Sequence, residues 1–372
     1  MTVRYVRVNP VADLFAPAVR ANGNVAIVGR VTPPAAAPAD LLAVGESAAF
    51  TDPAEARRRA PGDLGDAIAL AFTQSPGPMQ VTGVRVDDGA PDWEAALESL
   101  ATQDVQIVAL AAEPLDATSG AASGSVRALA DHVASVSTTG GDGMERIGVA
   151  MLERDATDPT IVSGALASER MVYIAHKSDE DVASAVAGTI AGYEPHISLL
   201  FKSVAVSSAP FTSAEIGELN GSETFTSGPA GKGVNWLIDP PLIPGQAVYL
   251  GEGYTGNPGG KKYVDIVRTI DSVTFALKAR LIRSIGNVRI SRSGLRGLGA
   301  SIESVLEPLI RQGVIEGYTI VIPVLVLLDK PQRSAAEDQQ INNAQSERVV
   351  EVLVAVDYAG AIHRIALTLK FE

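Results

Sequence analysis

The chain has no cysteine, only four histidines, and aromatic residues at 5% of its 372 positions. Without cysteine there is no disulfide framework, no thiolate nucleophile and no cysteine-based zinc or iron–sulfur site. His132, His176, His196 and His363 leave little for imidazole chemistry. Few aromatics among 46% apolar residues mean aliphatic, alanine-rich cores. No run approaches the roughly 18 apolar residues of a membrane helix, and the opening residues do not read as a signal peptide. We expect a soluble chain without membrane insertion. Lysine is also scarce, at 8 against 22 arginines, a weak hint of a GC-rich or salt-adapted host.

Several familiar signatures are missing as well. Gly231-Lys232 and Gly260-Lys261 lack the flanking residues of a phosphate-binding loop. Gly294, Gly297 and Gly299 run in the reverse order of a dinucleotide fingerprint. Neither a nucleophile elbow nor a zinc-protease helix is present. We expect no cofactor and no bound metal.

What is there begins with charge. The net charge of −13 argues against a nucleic-acid partner. Its distribution is uneven: residues 51–260 carry −17, whereas residues 261–311 carry +6. Lys261, Lys262, Arg268, Lys278, Arg280, Arg283, Arg289, Arg292, Arg296 and Arg311 form that basic stretch. It reads either as a solvated face paired with the chain's own acids or as a docking surface for an acidic partner.

Hydrophobic patterning then suggests the architecture. Residues 2–8 alternate, with Val3, Tyr5 and Val8 on one face of a strand, and a proline-bracketed linker follows. Buried strands read at 24–29, 81–86, 105–111, 147–152 and 171–175, separated by helical stretches at 63–73, 92–102, 125–136 and 179–191. Apolar strands alternating with helices imply a mainly parallel sheet covered on both faces. Residues 205–262 are rich in Gly, Pro, Ser, Thr and Asn and read as loops with small strands. Helical period returns at 263–285, with Arg268 and Arg283 opposite the apolar side, and again at 299–312. Pro308 should kink that second helix, and Gly313 should end it. Strands are expected at 318–328, 348–356 and 362–371, with a polar loop over 332–347 and a hairpin around 358–360. Ile365, Leu367 and Leu369 alternate in the last strand.

Asp87, Asp88, Glu113, Glu153, Asp155 and His176 fall just after predicted strands, where an open parallel sheet binds ligands. An α/β enzyme using Asp87, Glu113 and Asp155 is the alternative they allow. The plainer reading is that strand ends are polar because the chain reaches water there.

The order of segments resembles contractile tail sheath proteins, those of myophages, R-type tailocins and related injection systems. Val25-Ala-Ile-Val-Gly29 followed by Val44-Gly-Glu-Ser-Ala-Ala-Phe50 resembles the family's opening strand, loop and short helix. Residues 181–195 are similar to its Ala/Gly-rich stretch, although Glu194-Pro195-His196 replaces the aromatics often found next. Residues 248–255 with 263–268 resemble the entry to its carboxyl-terminal domain, and 313–318 the turn after its long helix.

The resemblance implies a non-enzymatic subunit with an amino-terminal arm over 1–20, an outer α/β domain over 21–204, a loop-rich connector over 205–262 and an inner α+β domain over 263–372. It implies hexameric rings stacked helically around an inner tail tube, with baseplate and tail terminator proteins as further partners. Such particles assemble in the host cytoplasm and act as a virion tail or as an extracellular contractile particle. Arg268, Arg283, Arg289, Arg292 and Arg296 would touch the tube. Val3, Tyr5 and Val8, with Ile365, Leu367 and Leu369, would exchange strands between subunits.

Overall fold

The computed structural model describes residues 23–36, 38–138, 143–221, 231–240, 242–243 and 248–363. The expected terminal strands, with Val3, Tyr5, Val8, Ile365, Leu367 and Leu369, lie outside the described residues. The chain divides into two compact units, residues 23–271 with 361–363, and residues 272–360.

The larger unit is built on β1 (Val25–Arg30), β2 (Ser47–Phe50), β3 (Val81–Val86), β4 (Ile107–Leu110), β5 (Ile147–Met151), β6 (Met171–Ala175), β7 (Ser203–Val204), β8 (Val234–Ile238) and β9 (Val248–Leu250). They form one nine-stranded sheet in the order β2-β3-β1-β4-β5-β6-β8-β9-β7. The six strands from β3 to β8 are parallel, and β2, β9 and β7 add antiparallel edges. The expected fold class, a mainly parallel α/β sheet, is what the structure has.

Each face of the sheet is buried, because successive side chains of a strand point to opposite sides. Val25 and Ile27 join a core with Leu64, Ile68, Val182, Val186 and Ile190, from helices α2 (Asp63–Phe72) and α5 (Val182–Ala191). Ala26 and Val28 join a second core with Trp93, Leu97, Val126, Leu129 and Val133, from α3 (Trp93–Glu98) and α4 (Ser125–Thr138). Helices α2 and α5 lie so close that a Cβ on Gly188 would come within 2.4 Å of the Ala71 carbonyl oxygen. Alanine and glycine at such crossings are a packing requirement.

Three elements in this unit escaped the reading of the sequence. Helix α1 (Pro53–Arg59) starts on an Asp52 cap, and residues 47–50, where the resemblance implied a loop and short helix, are an edge strand. Helix α6 (Ser213–Asn220) arises inside the loop-rich stretch from a capping box, in which Thr212 and Glu215 bond each other's backbone. The acids at 179–181 precede α5 instead of filling its first turn, and Asp181 caps it.

The smaller unit contains most of α7 (Val264–Leu281), with α8 (Arg292–Arg311), β10 (Ile315–Val321), α9 (Pro323–Asp329), α10 (Ala335–Glu347) and β11 (Leu353–Tyr358). Ile302, Leu306, Val314 and Ile315 are its buried centre, flanked by Val273, Leu277, Leu281, Ile320 and Val354. Strands β10 and β11 make an antiparallel ribbon with a bulge between Ile315 and Gly317.

Several expectations need correction here. The strand expected over 318–328 stops at Val321, and Pro323 opens a helix instead, as proline favours the first helical position. The expected loop at 332–347 is α10, started by a capping box of Ser334 and Glu337. Strand β11 pairs with β10, and the second strand of the hairpin expected around 358–360 lies mostly outside the described residues. Helix α8 begins seven residues earlier than expected, and Pro308 sits within its final turns. Gly313 follows it at φ +70°, where a side chain would be strained.

In the larger unit, buried Arg146 donates to the carbonyls of Leu100, Ala101, Gln103 and Met144, and its Nη1 lies 3.3 Å from His132 Nε2. Burial, and then the Arg146 charge, pull the His132 pKa down to about 4. The unfolded chain therefore binds a proton there between pH 6.5 and about 4 while the folded chain does not, so acid weakens the fold across that window. Melting curves at pH 7 and pH 4.5 should show a smaller acid-induced drop for His132→Gln than for the native chain.

Candidate assembly surface

The six parallel strands run, in sheet order, β3-β1-β4-β5-β6-β8, which places a topological switch point between β1 and β4. Ligands of doubly wound sheets bind beyond the carboxyl ends of those two strands. Here the chain's own side chains fill that crevice. Arg30, at the end of β1, pairs with Glu113, just past β4, and its guanidinium stacks over Trp93 at 5.2 Å. The second oxygen of Glu113 accepts from the Ser125 hydroxyl at 2.8 Å. Asp181 accepts from the Ala112 N–H at 3.1 Å.

The other strand-end candidates are similarly occupied. Asp87 accepts from the N–H groups of Gly89 and Ala90, holding a turn. Asp155 is exposed at φ +64°, with Arg154 Nε 3.5 Å away. His176 is buried, accepts the Ser178 N–H at Nδ1, and donates from Nε2 to the Leu152 carbonyl at 3.0 Å. Burial lowers its pKa, so it is held neutral. Among the described residues no group of three or more His, Asp or Glu side chains could hold a metal ion. Asp87, Glu113 and Asp155 are therefore not brought together into one site.

The basic stretch fares differently at each arginine. Arg268, expected on an exposed helical face, is buried in the larger unit and donates to the Tyr193 carbonyl at 2.9 Å. Burial pulls its pKa down to about 10. Sequence periodicity misplaced it because the first turns of α7 are covered on more than one side. Arg292 and Arg296 are exposed and share Asp329, with Nε of Arg292 donating to the Leu328 carbonyl at 2.7 Å and Nη2 of Arg296 to Asp329 at 3.1 Å. Two cations at the start of α8 oppose the helix dipole, and Asp329 at the end of α9 offsets them. Arg283 and Arg289 are exposed in the turn joining α7 to α8, beside the exposed Ile282, Ile285 and Val288. Among the described residues no carboxylate lies within 4 Å of either.

Apolar exposure concentrates in the same unit. Of the fourteen large apolar side chains left exposed among the described residues, eight belong to 272–360, including Ile282, Ile285, Val321 and Leu353. Val321 and Leu353 face each other across the ribbon, on the side away from its core. Helix α9 (Pro-Val-Leu-Val-Leu-Leu-Asp) is apolar nearly all round, yet none of its residues is fully buried and Val326 is 53% exposed. A helix of that composition normally lies inside a core. Among the described residues neither outer edge of the ribbon is paired, and open edges are templates for a further strand.

No protein-family model matches the chain, and no curated protein matches it in sequence. Solved structures do. A chain of the PVC extracellular contractile injection system sheath complex, in the contracted state, aligns with TM-score 0.67 and 13% identity, covering 100% of this chain and 97% of that one. The fold is that of contractile-sheath chains. The contracted helical sheath of the anti-feeding prophage gives TM-score 0.63, and the six-fold symmetrised baseplate of the same particle 0.65. Both are 15% identical and cover 100% of this chain and 99% of the other. The sheath fold thus accounts for both units and not only for the α/β sheet.

Charge reversal separates the arginines that hold the sheath fold together from those that do not. Arg292→Glu with Arg296→Glu places carboxylates beside Asp329 and should cost about 1 kcal/mol in denaturant unfolding. Arg283→Glu with Arg289→Glu should change stability by less than about 0.5 kcal/mol.

Proposed function

We propose that the chain is a structural subunit of a contractile sheath, assembling as stacked hexameric rings in a helical lattice around an inner tube. The observation that carries this reading is the unfinished surface of residues 272–360, within a fold shared end to end with chains of contracted sheaths. A unit with four residues at its buried centre and exposed apolar side chains on helix, turn and ribbon gains stability when neighbours cover it. The ribbon edges, unpaired among the described residues, suit strands supplied by other subunits, and Val3, Tyr5 and Val8 with Ile365, Leu367 and Leu369 are the candidates. Joints of that kind are directional and repeatable, so identical subunits propagate into rings or helices.

The tube contact is assigned to Arg283 and Arg289, with Arg292 and Arg296 contributing less because Asp329 already shares their charge. Arg268 is removed from the set by its burial. Each exposed ion pair contributes roughly 0.2–1 kcal/mol, so the grip on an acidic tube is collective and releasable. Contraction would exchange these weak contacts for apolar burial between subunits, driving the tube through a target envelope. Baseplate and terminator proteins would cap the stack. The filled crevice at the β1–β4 switch point supports a structural role over an enzymatic one. An extracellular contractile injection system is favoured over a phage tail because one of the neighbours comes from such a system.

Negative-stain electron microscopy of the chain, alone and with its tube protein, should show hollow, regularly striated tubes. Small monodisperse particles in both samples would refute the sheath reading. Arg283→Glu with Arg289→Glu should abolish co-sedimentation with the tube while leaving the circular dichroism spectrum unchanged. Deleting residues 1–9 should prevent polymer formation, and normal tubes from that variant would overturn strand exchange.

A further inference from the structure

Three polar side chains meet in the α/β unit at a place the assembly surface does not use. Glu252 follows β9, Ser198 lies in the loop after α5, and His363 is the last described residue. Nδ1 of His363 is 3.0 Å from Glu252 Oε2, and its Nε2 is 2.9 Å from Ser198 Oγ. The imidazole meets the Tyr263 ring edge-on, with centroids 4.8 Å apart, and Tyr263 in turn lies 5.5 Å from Tyr254. Lys262 sits over the Tyr254 ring at 5.6 Å and is attracted by the Glu252 charge.

The chain Ser–His–Glu has the order of a hydrolase triad. Two contacts point away from catalysis. Ser198 Oγ also accepts the Leu200 N–H at 3.3 Å, which makes the hydroxyl part of its own turn. The imidazole is also packed against the Tyr263 ring. Both protonation states of the ring are fully bonded here. A neutral ring donates from Nδ1 to Glu252 and accepts the Ser198 hydroxyl at Nε2, and a charged ring donates from both nitrogens.

The position of His363 along the chain gives the arrangement its use. The preceding anchor is the Ala359 N–H, which donates to the Val314 carbonyl at 3.3 Å in the smaller unit. Residues 361–363 belong to the larger unit. We propose that Ser198, Glu252 and Tyr263 clasp His363 and so fasten residues 361–363 to the α/β unit. The clasp follows from geometry within one chain and holds whether or not the chain forms a sheath.

Hydrogen–deuterium exchange on the full chain tests it. In His363→Ala the amides of 360–363 should exchange about tenfold faster, with amides of the central strands unchanged. Ser198→Ala removes one of the two bonds to the ring, along with the Leu200 turn bond, and should give a smaller, severalfold acceleration, a readout that survives if the histidine variant folds poorly. Unchanged exchange in Ser198→Ala and in folded His363→Ala would overturn the clasp. So would covalent labelling of Ser198 by a fluorophosphonate that is lost in Glu252→Gln, because that would assign the three residues to hydrolysis.

Discussion

Six parallel strands buried on both faces impose the constraint from which the larger unit follows. A parallel sheet needs a layer of helices on each side, and those helices must cross strands and one another at close range. The chain meets this with alanine and glycine, as at Gly188 against Ala71. Small residues bring backbones together, and the sheet can then be filled by Val, Ile and Leu with few aromatic rings. The same topology generates a crevice at the β1–β4 switch point. Arg30, Glu113 and Ser125 fill it, so the place where a doubly wound enzyme would bind its ligand is instead part of the fold.

The smaller unit obeys a different constraint. A two-stranded ribbon cannot bury both faces or pair both edges by itself, and its few helices cover one side. What remains uncovered is apolar on α9, on the outer side of the ribbon and at the α7–α8 turn. The larger unit thus has two extended cores, whereas the smaller has a small core and exposed apolar side chains. Solved chains from contracted sheaths share the fold over nearly their whole length.

Helix boundaries show where local chemistry was overlooked and where it was absent. Ser334-Ala-Ala-Glu337 and Thr212-Ser-Ala-Glu215 are both capping boxes, and each lies in a stretch whose polar or small residues otherwise read as loop. Those signals were legible. Residues 323–329 were not, since an apolar run after a proline satisfies a strand and a short helix equally, and the surroundings decide. Glu252, Ser198 and His363 stand too far apart in the chain for any spacing rule to join them.

By itself the sequence determined the alternation of strand and helix, the parallel sheet, the acidic body with its basic segment, and the resemblance to sheath proteins. These rest on periodicity, composition and order, which are local or additive quantities. Tertiary structure decided which arginines are available. Arg268 and Arg283 share a charge and an amphipathic pattern, yet one is enclosed beneath Tyr193 and the other is exposed on a turn. It also decided that Glu113 closes a crevice and that His363 is clasped. Such outcomes depend on which distant segments pack together, and burial is a property of that packing and not of the residue.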